Sequence, residues 1–430
     1  MAMQEEFICF AWENQRYQLP LISVEGKEIV VVHPGYRNAD AGPDYTQSHI
    51  RIDGVSWHGD VEVHLKSSDW WHHGHQNDDR YRNLVLHVVY QDDRPQRLNH
   101  NALATVSLQE QLMPGLMDLY QQFQLNSDWI PCSAHLGKVH VFSRSVWIQR
   151  MAVERMEDKA GRVLQEVAQN QGDWHQALFT QLGRSLAGPI NAEAFSSIGR
   201  QVPVRMLDRY RSPEGLALEA LLLGQAGLLN KPHSEEPHLQ KLQSEYTFLK
   251  EKHQLEPQAT TLLKYAKMRP GNFPDLRLVQ WASIWNAHPG LFQELLSCHD
   301  VAQMFRCFTP GTIDPYWKKH WRLGDEPGAL HTAVPGKNTL SHLLINVAIP
   351  FFYAYGQSID DLRIKAHALD LMTQLKPESN RFIRKWQENG IKPRNASDTQ
   401  GLYHLYHQYC RPKRCLRCSI GKMVMNGELN

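Results

Sequence analysis

The spacing of apolar and polar residues divides the chain into two textures. Residues 4–13 set Phe7, Phe10 and Ala11 at i, i+3 and i+4, which predicts a short amphipathic helix. Glu28–Val32 reads as a buried strand that His33-Pro34-Gly35 ends, and Tyr45–Ile52 alternates as a second strand. Asp53-Gly54 is a hairpin turn signal. Trp57–Lys66 alternates strictly, with Val61, Val63 and Leu65 on one face and Asp60, Glu62, His64 and Lys66 on the other. Ser68-Asp69 predicts the cap of a short helix over residues 70–82. Leu84–Tyr90 and Thr105–Leu108 read as further strands, so the order is helix, three strands, helix, strand.

From residue 126 the period becomes helical. Trp147–Val167, Glu214–Leu229, Leu276–Asn286, Leu291–Leu296, Leu340–Ala354 and Leu362–Thr373 read as helices, punctuated by Pro270, Pro274, Pro289 and Pro350. The expected organisation is an α+β domain over 1–125, a mainly α-helical domain over 126–400 and a short basic Cys-rich segment over 401–430.

Composition narrows the class. Of 430 residues 42% are hydrophobic, which excludes a chain disordered throughout. Lys+Arg is 46 and Asp+Glu 45, so the protein is not basic overall, but the charge is unevenly spread. Residues 1–100 hold 9 basic and 15 acidic residues, a net of −6, and residues 361–430 hold 13 and 6, a net of +7. An acidic segment can supply metal ligands, and a basic one can meet a polyanion. The apolar stretch Leu343–Tyr355 is interrupted by Asn346 and Pro350 and is too short to span a membrane. The first residues, MAMQEEF, show no secretory signal. Seven cysteines, three of them crowded near the end, fit a reducing, cytoplasmic compartment and a metal site rather than a disulfide framework.

The chemistry concentrates at Gly42-Pro43-Asp44 and at Asp60-Val61-Glu62-Val63-His64. Asp44 stands at the start of one strand, and Glu62 and His64 point the same way from the next. Paired strands bring such groups within a few ångströms. Asp44, Glu62 and the Val63 carbonyl are therefore candidate ligands for Mg²⁺ or Mn²⁺, which would activate water and steady charge on a phosphoryl group. At these residues the first 110 positions resemble the PD-(D/E)XK, or restriction-endonuclease-like, nuclease core. The resemblance implies a metal-dependent nuclease fold with Asp44 and Glu62 on the metal. It implies a further carboxylate from the first helix, for which Glu5 or Glu6 is placed and Glu6 is the candidate taken. His64 stands where that family carries lysine, and Lys66, two residues on, is the candidate substitute. The whole chain is also similar to a bacterial family of unknown function, through the GPD turn, VEVHLKSSDW (61–70), HGHQNDDRY (73–81), LHVVY (86–90), RPGNFP (269–274) and YCRPKRCLRCSIG (409–421).

Two more clusters follow. His73, His75 and Asp78 lie close together after the third strand, with His87 on the next strand, and are secondary candidates for a transition metal. Residues i and i+2 of a helix face apart, so His73 and His75 can share an ion only if the chain loops there, which Gly74 permits. Cys410, Cys415 and Cys418 read as metal ligands for Zn²⁺ or a [4Fe–4S] cluster, with His407 or Cys132 as the fourth. Some nucleases of the resembled family hold an iron–sulfur cluster by a similar split of one remote and three C-terminal cysteines. Tyr403, Tyr406 and Tyr409 are either stacking surfaces for bases or the packing face of a helix.

The leading expectation is a metal-dependent nuclease or phosphodiesterase acting on nucleic acid. The alternatives are a nuclease-fold scaffold that binds nucleic acid without cleaving it, and a metal hydrolase centred on His73, His75 and Asp78. No Gly-rich phosphate loop and no Gly-x-Ser-x-Gly elbow is present.

Overall fold

The computed structural model describes residues 3–93, 103–230 and 236–428. The chain divides into two compact units. One comprises Met1–Ile148, Glu388–Gly390 and Tyr403–Asn430, and the other Gln149–Gln387 and Ile391–Leu402. The Cys-rich segment thus belongs, from Tyr403 on, to the same unit as the strands.

The first unit is built on a seven-stranded sheet. Its strands are β1 (Leu21–Ile22), β2 (Glu28–His33), β3 (Tyr36–Arg37), β4 (Tyr45–Ile52), β5 (Val55–Lys66), β6 (Leu84–Gln91) and β7 (Ala104–Ser107). The path is β1-β2-β4-β5-β6-β7, with β3 paired to the near end of β4. β2, β4 and β5 form an antiparallel meander, and β6 and β7 continue parallel to β5. The Asp53-Gly54 turn forms as its sequence predicts, both residues taking positive φ. The two-residue strands β1 and β3 escape the sequence pattern because they are too short to alternate.

The first helix, α1 (Glu5–Glu13), buries every residue from Phe7 to Trp12, more than one amphipathic face. One side packs on β5 and β6. The other meets α3 (Leu116–Leu125), where Phe7 stacks on Tyr120 with ring centroids 4.5 Å apart. The Tyr45 hydroxyl donates to the Cys9 carbonyl at 3.0 Å, tying helix to sheet.

The helix expected over 70–82 does not run through. Helix α2 covers only Asp69–His72, and two single 3₁₀ turns follow, His75–Asn77 and Asp79–Tyr81. Gly74 breaks the run with φ +76°. The expected Ser68 cap is also redirected. Its hydroxyl donates to Asp93 at 2.8 Å, and the Asp69 carboxylate accepts from the Lys66 amide at 2.9 Å.

The second unit is helical around one large apolar core. Helices at Leu291–Leu296 and Leu362–Gln374 follow the sequence pattern closely. Trp174–Gln201 and Pro237–His253 are additional. The former kinks at Gly188-Pro189, where Gly188 has φ +66°. Pro350 does not end its helix. Lys337–Leu343 passes through a π turn, Leu344–Ala348, into Ile349–Ser358. A proline cannot donate to the Ile345 carbonyl in that wider register, and the buried Lys159 ammonium donates to it instead at 3.0 Å.

Candidate metal centre

The centre grows from β5. Glu62 and His64 leave the polar face that the alternation predicts, yet both are buried, at 5% and 1% exposure. The cover is the broken segment after β5. Trp70 packs on His75 and His87 with ring centroids 5.4 and 5.7 Å away, and Tyr81 lies 4.1 Å from His75.

Asp44 stands immediately before β4, with Tyr45 opposite Val61. Its carboxylate accepts from the Val63 amide at 3.1 Å, and its own amide donates to Glu62 Oε2 at 3.0 Å. The register slips between Tyr45 and Ser48, where Gln47 takes φ +57°, so a bulge sits at the strand end that carries Asp44. Burial raises the Asp44 carboxyl, partly offset by the Val63 amide and Arg37. Burial and the Asp44 charge push Glu62 up to about 8. Glu5 is pushed up to about 7 by burial and by the charges of Asp44 and Asp69. Three carboxyl groups are therefore gathered where a cation would offset their repulsion.

The second oxygen of Glu62 faces imidazoles. Glu62 Oε1 lies 3.3 Å from His75 Nε2 and 3.6 Å from His64 Nε2. His64, His73 and His75 each offer a ring nitrogen, all within 4.8 Å of one another. The break at Gly74 makes this possible by letting His73 and His75 converge, with ring centroids 5.4 Å apart. His64 also hydrogen-bonds His87, Nδ1 to Nε2, at 2.8 Å. Burial and the neighbouring His73 and His75 hold His64 neutral, its pKa lowered to about 4, so a ring nitrogen keeps a lone pair. His75 Nε2 is buried with no hydrogen-bond partner, and Glu62 Oε1 is its near neighbour. Three imidazole nitrogens and one carboxylate oxygen form a donor set that fits a divalent transition-metal ion.

Other candidates fall elsewhere. Asp78 turns to Arg80, with Oδ2 2.5 Å from Nη2, and caps the following turn. Lys66 is exposed at the strand end. Glu6 pairs with Arg417, so the first-helix carboxylate at the centre is Glu5. Neighbouring helix positions differ by about 100° in direction, which is why only one of the two can face the sheet. The aromatic cover from Trp70 and Tyr81 left no sequence signal beyond the residues themselves. His407 is exposed, with Tyr403 and Tyr406 beside its ring. Tyr406 stacks on Trp129 at 4.5 Å, and Tyr409 meets Trp147 at 5.6 Å, so both serve packing.

A family model matches residues 5–381. The chain belongs to the family described as "Protein of unknown function (DUF2851)". The matched range takes in the whole candidate centre and stops short of the cysteine block at 409–421. No curated protein and no solved structure matches the chain. Among the described residues no helix is long and apolar enough to cross a membrane.

Proposed function

We propose that this member of the DUF2851 family is a metal-dependent phosphodiesterase that cleaves nucleic acid. The observation that carries the reading is Glu62, whose two oxygens serve two groups, the Asp44 segment through Oε2 and the histidines through Oε1. The element order and strand directions add support. A helix, an antiparallel three-strand meander, a helical segment and a parallel strand follow one another in the order that the resemblance to a restriction-endonuclease-like core implies, and this supports the reading.

In this reading Glu62, His64, His73 and His75 hold a divalent ion, which lowers the pKa of bound water and polarises a phosphoryl oxygen. The imidazole-rich donors favour Mn²⁺ or another transition metal over Mg²⁺. Asp44 and Glu5 line the neighbouring acidic side and take up the proton of the attacking water. His87 orients His64. The lysine that would supply a fixed positive charge is replaced by a neutral imidazole, and that change favours a second reading, a nucleic-acid-binding protein without turnover.

The deciding experiment is cleavage of labelled single- and double-stranded DNA and RNA by the full chain with Mg²⁺, Mn²⁺ or Zn²⁺. Wild type is compared with Asp44→Ala, Glu62→Ala and His75→Ala. The expected result is Mn²⁺- or Zn²⁺-supported cleavage that each substitution lowers by about 100-fold or more. Salt-sensitive binding with no cleavage above the Glu62→Ala background would establish the second reading instead. Cleavage that survives Glu62→Ala and His75→Ala would sink both the centre and its role.

A further inference from the structure

Two cysteines of the second unit stand apart from every group described above. Cys298 and Cys307 hold their sulfurs 3.5 Å apart. Both are free thiols and both are buried. A buried cysteine ordinarily serves as a small apolar side chain. These two differ because their sulfurs touch each other.

The local sequence builds the contact. Cys298 follows the helix Leu291–Leu296, and Cys307 follows the helix Val301–Arg306. Asp300 caps the second helix, its carboxylate accepting from the Gln303 amide at 2.7 Å. The Gln303 side-chain oxygen accepts from the His299 amide at 2.6 Å. These two bonds fix the connection between the helices. Each sulfur also lies near the carbonyl four residues before it, Glu294 at 3.2 Å for Cys298 and Gln303 at 3.5 Å for Cys307. The pairing that uses the shorter contact has Cys298 donating to Glu294 and Cys307 donating to the Cys298 sulfur.

The two thiols are therefore unequal. The Cys307 hydrogen bond, with help from Arg306, lowers the pKa of Cys298 against burial, Asp300 and Glu294. The same bond, with burial, raises Cys307. Cys298 is the nucleophile of the pair and Cys307 its resolving partner. Both positions border the surface. Cys298 lies between exposed Ser297 and His299, and Cys307 follows exposed Arg306. A small oxidant needs only a local opening at these helix ends.

We infer that Cys298 and Cys307 form a reversible disulfide in response to a peroxide. The Cys298 thiolate attacks one oxygen of hydrogen peroxide, the O–O bond breaks and hydroxide leaves, which makes Cys298 a sulfenic acid. The Cys307 sulfur then attacks the Cys298 sulfur, the S–O bond breaks, and water leaves with the Cys307 proton. The two thiols have lost two electrons and two protons, and the peroxide has become two waters. The sulfurs close from 3.5 Å to the about 2.0 Å of a disulfide, and a dithiol reductant restores the pair. The bridge ties the end of Leu291–Leu296 to the end of Val301–Arg306, which packs against the π turn Leu344–Ala348. In a reducing compartment such a bridge is transient, a response to oxidant rather than a structural staple. The inference is independent of the phosphodiesterase reading, whose centre lies in the first unit.

The test exposes the reduced, full-length wild type to hydrogen peroxide, alkylates the remaining thiols and digests with trypsin. Cleavage after Arg306 separates the two cysteines into Leu278–Arg306 and Cys307–Lys318, each with one cysteine. Mass spectrometry should find these two peptides linked, lighter by two hydrogens than their sum. The link should appear with peroxide and vanish when dithiothreitol is added to the native chain before alkylation. In Cys307→Ser a sulfenic-acid trap such as dimedone should label Cys298, and in Cys298→Ser position 307 should stay unlabelled. The wild-type peptides decide the disulfide even where a serine variant fails to fold. Both peptides still alkylated after peroxide, or Cys298 driven to sulfinic acid without a link, would overturn the disulfide. A link that dithiothreitol leaves intact in the native chain would overturn its reversibility, and a dimedone label on Cys307 in Cys298→Ser would overturn the assigned roles.

Discussion

Histidine at position 64 changes what the third strand of the meander can do. A lysine there would offer a fixed charge, whereas a neutral imidazole offers one donor and one lone pair. Nδ1 meets His87 Nε2 at 2.8 Å and Nε2 meets His73 Nδ1 at 3.2 Å, and the tautomer sets which nitrogen donates. If His64 Nδ1 donates to His87, Nε2 is left for a metal, with His73 and His75 beside it. His87→Ala should therefore weaken Mn²⁺ or Zn²⁺ binding by about 10- to 100-fold, measured by calorimetric titration. His87→Gln, which keeps an acceptor, should recover much of that loss, a rescue that a purely space-filling role would not produce. Much of this centre was legible beforehand. Strict alternation along Trp57–Lys66 put Glu62 and His64 on one face, and the Gly-Pro turn marked Asp44. The choice between Glu5 and Glu6 was not legible. Phe7, Ile8, Cys9, Phe10, Ala11 and Trp12 are all buried, so no polar face of α1 remained to orient the carboxylates that precede them.

Among elements, legibility followed length and regularity. Strand β4 and the helix Leu291–Leu296 fall where their patterns place them, β4 because Ser48–Ile52 alternates regularly beyond the bulge at Gln47. Trp174–Gln201 was hidden because the Gly188-Pro189 kink turns its apolar stripe part-way along and half of its residues, Thr180, Asn191 and Ser196 among them, are buried. Pro350 punctuates the stretch Leu340–Ala354 that reads as a helix, because a proline removes a helix hydrogen bond, and nothing local in sequence announces Lys159 as the substitute donor. Its ammonium donates to the Ile345 carbonyl at 3.0 Å, Asn346 Oδ1 at 2.9 Å and Gln400 Oε1 at 2.7 Å. Three acceptors match the three protons of the charged form, while burial lowers the pKa of the amine. Lys159→Met keeps the apolar stem and leaves buried acceptors unpaired. It should cost about 1–3 kcal/mol, read as a lower urea midpoint with unchanged slope for that transition.

At the scale of the molecule the chain is two cores rather than one. The strands, α1, α3 and the returning segment Tyr403–Asn430 make the first, and the helices of Gln149–Gln387 and Ile391–Leu402 make the second. The apolar cluster from Met156 to Ala396 belongs entirely to the second, so each unit can lose its packing separately. Unfolding should then resolve into two transitions, assignable by substitutions confined to one core each. Gly59→Ala places a Cβ 2.4 Å from the Asn83 carbonyl oxygen and 2.4 Å from Val85 Cγ1, and should lower only the transition that also responds to metal added at the histidine centre. Lys159→Met should lower only the other. Scanning calorimetry of the wild type and the two variants checks this. A single transition shifted by both substitutions would mean that the two cores unfold as one cooperative body. A chelator would then destabilise the helical core as much as the sheet, and metal binding would be felt throughout the chain.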